Sequence, residues 1–340
     1  MLLDAILASV GHAWPPFVLV AGLLLIGAVA AEDGLFEALG ARLARTGLGP
    51  RSLLVALLAL VAVVTAVLNL DTSVVFLTPV LVHAARRRGL DERPFLYGSV
   101  FMANSASLLL PGSNLTNLLV LRSDPENGLA FAARMLPAWL TACTITALFL
   151  VLAFRLQDSR DDDNDLPPLR PGLGAAATIA AAALVVSVPN AAIPVLALGV
   201  AVTAARRLRP QLDHRALGIL FALTVALGSL ARLWHAPGDV LDRAGVWATA
   251  GIGATAAVLI NNLPAAVVLS AHPAPHPEAL LLGLDLGPNL AVTGSLSAVL
   301  WLQAARIVDA PASIVTYSRL GLLLVPATIV ITLAALLVTH

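Results

Sequence analysis

Apolar runs of membrane-crossing length recur at residues 14–31, 134–155, 173–189, 191–206, 216–233 and 317–338, and each predicts a spanning helix. Four other stretches are apolar but broken by polar residues. Residues 53–85 are interrupted at Asn69, Asp71, Thr72 and Ser73, and an unbroken helix of that length would run about 50 Å, past a hydrocarbon core of about 30 Å. Residues 246–271 repeat the pattern around Asn261-Asn262-Leu263-Pro264. Both read as re-entrant hairpins with a polar tip, a shape the bilayer tolerates only where protein or water satisfies the freed backbone groups. Residues 94–121 are interrupted at Pro111-Gly112-Ser113-Asn114, and residues 279–306 at Asp285-Leu286-Gly287-Pro288-Asn289 and again at Gly294. Each predicts one crossing made of two half-helices.

Composition agrees with the pattern. Of 340 residues, 59% are hydrophobic and 12% charged, with a mean hydropathy of +0.91, which excludes a soluble globule. Twenty basic residues, all arginine, balance twenty acids, so no net charge draws the chain to nucleic acid. A single cysteine, Cys143, excludes an internal disulfide framework and a cysteine metal cluster. Walker, HExxH and GxSxG motifs are absent. Met1 to Val10 lacks the basic run of a cleavable leader, so Phe17 to Ala31 is kept as a span.

Basic residues favour cytoplasmic loops. With each hairpin returning to the side it enters from, sixteen arginines, among them Arg42, Arg86, Arg88, Arg93, Arg206 and Arg319, share one face, and only Arg122, Arg134, Arg232 and Arg243 fall on the other. The chain is expected to be a multi-pass protein of the cytoplasmic membrane with both termini outside. An acidic cytoplasmic linker at 156–172 divides one transport domain, 1–340, into a first repeat at 14–155 and a second at 216–338, with an additional helix pair at 173–206. Span, hairpin, broken helix and span follow in that order in both repeats, and the hairpins open to opposite sides. The expected fold class is an all-α polytopic membrane protein of two inverted-topology repeats, each with a re-entrant helical hairpin and a broken transmembrane helix, the architecture of secondary transporters.

Polar groups at membrane depth are costly and mark functional candidates. For solute binding these are Asn69, Thr72 and Ser73 at the first tip; Asn104, Ser107, Ser113, Asn114, Thr116 and Asn117 at the first break; Asn261 and Asn262 at the second tip; and Asn289, Thr293 and Ser295 at the second break. Asp71 and Asp285 are the acids beside a tip and a break. Away from water a carboxylate is expensive to ionise, which suits a proton carrier or a cation ligand; capping of a half-helix is the structural alternative. Asp71 is expected to be the deeper acid, and the two tips are expected to meet near the midplane. Glu32, Asp33 and Glu37, near Arg42 and Arg45, read as a solvated face. His272 and His276 read as bystanders in a proline-rich loop, so no metal site is expected.

Asn69-Leu70-Asp71-Thr72-Ser73 with Leu77-Thr78-Pro79, then Ala103 to Leu108 and Ser113-Asn114-Leu115-Thr116-Asn117, resemble one signature of the arsenite and antimonite efflux permeases. Asn261 to Pro264 and Asp285 to Asn289, with Thr293 to Leu296 and Leu300-Trp301-Leu302, resemble the other. That family belongs to the ion-transporter superfamily, with sodium/proton antiporters and sodium/dicarboxylate symporters as relatives. The resemblance implies a secondary active transporter that exports arsenite or antimonite by alternating access, without a cofactor, with H+ as the coupling ion and Na+ as the alternative. Besides the inorganic solute and the lipid bilayer, it permits a cytoplasmic ATPase subunit and a second copy of the chain as partners, and no nucleic acid. The chemistry fits: arsenite near neutral pH is largely an uncharged trihydroxide, and no arginine lies at any tip or break. A sodium/proton antiporter, a sodium-coupled dicarboxylate transporter and, more distantly, an intramembrane enzyme are the competing readings.

Overall fold

The computed structural model describes residues 2–121, 128–156, 172–188, 190–208, 214–234 and 236–339, with the backbone alone at residues 12, 214–217 and 220. Every regular element among them is helical. The expected linker at 156–172 lies, apart from its two end residues, outside the described residues.

The first helix is longer than its apolar run suggested. α1 (Leu2–Glu32) continues through Pro15 and Pro16, because burial of Phe17, Leu19, Leu23, Ile26 and Val29 holds the helix despite the two lost amide donors. α2 (Leu35–Arg45) is amphipathic and buries Phe36, Ala38, Ala41 and Ala44. Asp33, between them, does not belong to a solvated face. Its side chain is only 7% exposed; it pairs with Arg206 at 2.6 Å and accepts the backbone N–H of Gly174 at 2.8 Å. Folding brings an interhelical partner to a residue that local sequence places beside arginines of its own segment. Glu32 and Glu37 remain exposed as expected.

The first hairpin is α3 (Pro50–Val67) and α4 (Leu70–Arg87), and the first broken helix is α5 (Arg93–Ala106), a 3₁₀ turn at Pro111–Ser113, and α6 (Leu115–Val120). α7 (Gly128–Ala153), α8 (Leu173–Ser187), α9 (Ala192–Ala205) and α10 (His214–Leu233) follow. A short α11 (Ala236–Asp242), which the hydrophobic pattern does not announce, leads into the second hairpin, α12 (Val246–Ile260) and α13 (Asn262–Leu269). The second broken helix is α14 (Pro277–Leu286), 3₁₀ turns at Gly287–Leu290 and Val292–Gly294, and α15 (Leu296–Ile307), and α16 (Ile314–Thr339) closes the chain. α1, α3, α7 and α16 are each long and apolar enough to cross a membrane. The arms α12 and α13, at about 22 and 12 Å, are too short to do so. In the first hairpin α4 matches the membrane-spanning α3 in length, at 18 residues or about 27 Å each.

Pairings recur in the two halves. α3 packs on α4 and on α5, as α12 packs on α13 and on α14. The hairpins do not take each other as main partners. α4 packs on α15 and α13 packs on α6, so each hairpin grips the second part of the broken helix in the other half of the chain. Small residues permit the closest of these approaches. A Cβ at Gly283 on α14, or at Gly287 at the start of the 3₁₀ turn that follows it, would run into the backbone of Ala250 or Ala254 on α12, so the two segments meet backbone to backbone along this stripe.

Candidate functional site

Each half-helix restart is capped by the side chain of a residue that the polar pattern singled out. Asn69 accepts the N–H of Thr72 at 2.7 Å, Asn114 that of Thr116 at 3.1 Å, Asn261 that of Leu263 at 3.2 Å, and Ser295 that of Ala298 at 3.3 Å. Asn, Asp, Ser and Thr are preferred at such positions because their short side chains reach the free amides of the first turn, and the cap is worth about 1 kcal/mol.

The first break is closed from within. Asn117 donates to the carbonyls of Ser107 at 2.7 Å and Leu110 at 3.3 Å, and the Ser113 hydroxyl donates to the same two oxygens. Trp139 of α7 supplies a donor for the carbonyl of Ala106 at 3.0 Å. The carbonyls of Ala106, Ser107 and Leu110 thus receive side-chain donors from within the protein, as a break at membrane depth requires. The sequence reading missed Trp139 and also Tyr317, which donates to the carbonyl of Pro288 at 2.9 Å in the second break. An indole N–H or phenol within an apolar span is the signal that finds them, since such groups take a partner when buried.

The two breaks are joined. Asp285 is fully buried and accepts from Asn114 Nδ2 at 2.9 Å and from the Ser107 hydroxyl at 3.3 Å. Asn104 donates to Asn289 Oδ1 at 2.8 Å, and Asn289 donates to the Phe101 carbonyl at 3.2 Å. Asn104, Ser107, Ser113, Asn114, Asn117, Asp285 and Asn289 form one buried network between α5, α6 and α14, to which Thr116 gives only its backbone N–H. The carboxamide oxygens of Asn104 and Asn117 are buried and without a partner. None of the ion pairs among the described residues involves Asp285.

Asp285 has no exposed surface, whereas Asp71, in the first turn of α4, is partly exposed and takes no part in the hydrogen bonds of this network. Asp285, at the end of α14, is enclosed by α5, α6 and α12. Asn69, Thr72 and Ser73 remain at the first tip, where Asn69 Nδ2 and Thr72 Oγ1 are buried without partners. At the second tip Asn261 takes a positive φ of 75° and donates to the Thr293 carbonyl at 3.1 Å, tying the hairpin to the second break. Asn262 and Ser295 are buried at their own half-helix starts.

A cavity of about 400 Å³ abuts the first break at Pro111 and Gly112. Trp14, Pro16, Phe131 and Val185 make its wall largely apolar.

Broken helices that meet in a buried polar network, within a chain of membrane-crossing helices, are the arrangement of a membrane transporter. A family model for citrate transporters, CitMHS, matches residues 1–287, and the chain belongs to that family. The arsenical pump membrane protein of Escherichia coli (strain K12) is 27% identical over 370 residues, covering 92% of this chain and 83% of the relative. The silicon efflux transporter LSI3 of Oryza sativa subsp. japonica is 29% identical over 131 residues, which cover 38% of this chain and only 27% of that protein's length. Among solved structures, the YdaH transporter of Alcanivorax borkumensis superposes with a TM-score of 0.54 at 15% identity, covering 98% of this chain and 87% of the other. That likeness concerns the fold alone.

Proposed function

We propose that this transporter exports arsenite or antimonite from the cell by alternating access, driven by proton entry, with the solute bound at the junction of the two broken helices. The observation that carries the proposal is the composition of that junction: amides, hydroxyls and one carboxyl group, with no arginine among them. An uncharged trihydroxide needs donors and acceptors on all sides, which carboxamides and hydroxyls supply. Asp285, tied to Asn114 and Ser107, carries the coupling proton; Asp71, near the first tip, takes the proton from or gives it to the aqueous side. The cavity beside Pro111 and Gly112 is the vestibule through which the solute leaves. In this reading the repeats are inverted, both termini lie outside the cytoplasmic membrane, and the arginine-rich face is cytoplasmic and open to an ATPase subunit. Arsenical pump proteins among the relatives support the substrate class.

A second reading has its own observation. The unpartnered oxygens of Asn104 and Asn117 lie in the same network as Asp285 and suit a sodium ion, which would make the protein a sodium-coupled carboxylate transporter, and the family model it matches is one of citrate transporters. Everted vesicles offered arsenite, sodium and citrate in parallel, with and without a proton gradient, separate the two. Proton-driven arsenite accumulation is expected; citrate uptake that requires sodium, with no arsenite transport, overturns the first reading.

A further inference from the structure

Away from the junction, α1, α10 and α13 enclose a second, much smaller cavity of about 10 Å³, lined by Ser9, Ala13, Thr224, Gly228, Arg232 and Ser270, among others. Ser9 and Ser270 are each 4% exposed, and neither hydroxyl has a hydrogen-bond partner. The buried Nε of Arg232 is without one as well. Three unsatisfied polar atoms around a space of about one probe sphere form a site for a single small particle. No carboxylate lines the space, and none of the ion pairs among the described residues involves Arg232.

We infer that this cavity binds one halide ion, held by the hydroxyls of Ser9 and Ser270 and by the guanidinium of Arg232. All three groups donate hydrogen bonds, and a part-buried guanidinium without an acid beside it lacks a counter-charge, which a monatomic anion supplies and a water does not. A phosphate or carboxylate is too large for the space. Because the site joins α13, the return arm of the second hairpin, to α1 and α10, the ion fastens a hairpin to its surroundings; none of its ligands belongs to the solute network.

The test is thermal unfolding of the purified full chain in nanodiscs, titrated with sodium chloride or bromide against sodium gluconate at constant ionic strength. A saturable rise in the midpoint with either halide, absent in gluconate, is expected, and it should disappear in Arg232→Gln and in the double substitution Ser9→Ala with Ser270→Ala. Equal midpoints in halide and gluconate mean that the cavity holds water and overturn the inference. A halide-specific rise that persists in both variants places the ion elsewhere and overturns it equally. Should the variants not fold, bromide-soaked crystals of the unsubstituted protein decide: an anomalous peak between Ser9, Ser270 and Arg232 supports the site, and its absence refutes it.

Discussion

Asp285 and Asp71 differ less in chemistry than in surroundings. Both stand near a helix break, but only Asp285 is held by side chains from another segment, Asn114 and Ser107, which lie more than 170 positions earlier. Asp285→Asn keeps the shape and cannot ionise, so it should retain solute binding and lose proton-driven accumulation in everted vesicles. Asp71→Asn should slow transport without abolishing coupling; full loss of coupling in Asp71→Asn with Asp285→Asn still coupled would reverse the assignment. Asn114→Ala removes both the cap of α6 and a donor to the carboxyl group. A hydrogen bond to a charged or strongly polar group is worth about 1.5–3 kcal/mol, so the apparent KM should rise about ten- to a hundredfold while folded protein still reaches the membrane. Unchanged transport in Asn114→Ala combined with Asn262→Ala would remove the junction as the site. Candidate residues were legible here because polar side chains are rare at membrane depth. Their partners were not: nothing in the order of residues says that Asn104 reaches Asn289.

The elements follow the hydrophobic pattern closely where breaks are concerned, since Pro111, Gly287 and Pro288 stop a helix by local stereochemistry. Pro15 and Pro16 do not stop α1, because packing around that helix outweighs the local penalty. Close approach governs α12 and α14. Gly283→Leu forces a side chain into the backbone of Ala250 and Ala254 and should destabilise the protein by about 1–3 kcal/mol, measured as a lower thermal midpoint, with weakened transport following from displacement of Asp285 on the same helix. At the start of α5, Asp91 accepts the backbone N–H of Arg93 at 3.0 Å and its guanidinium Nη2 at 2.7 Å. Partial burial acts to raise the carboxyl's pKa, but the hydrogen bonds and charge of Arg93 outweigh it and the net shift is downward. The carboxylate's contribution is therefore complete above the unfolded value of about 3.9 and fades as the pH falls through the lower folded value. Asp91→Asn should lower the thermal midpoint at pH 7, and its difference from the unsubstituted protein should shrink as the pH falls below about 3.9.

For the whole molecule, sidedness is the open expectation. Arg243→Cys should react with a membrane-impermeant maleimide added outside intact cells, and Arg306→Cys only after permeabilisation; the opposite pattern would invert the topology and place both termini inside. The sequence by itself determined that the chain is a polytopic helical membrane protein, where its helices break, and which polar residues stand at the breaks, because the bilayer penalises every exposed polar group and helix breakers act over a few residues. Tertiary structure alone decided that each hairpin grips the broken helix in the other half of the chain, that Asp33 is tied to Arg206 and Gly174, and that Asp285 is held by Asn114 and Ser107. These depend on contacts between segments far apart in the chain, and hydrophobic periodicity records only that a face is buried, never which partner buries it.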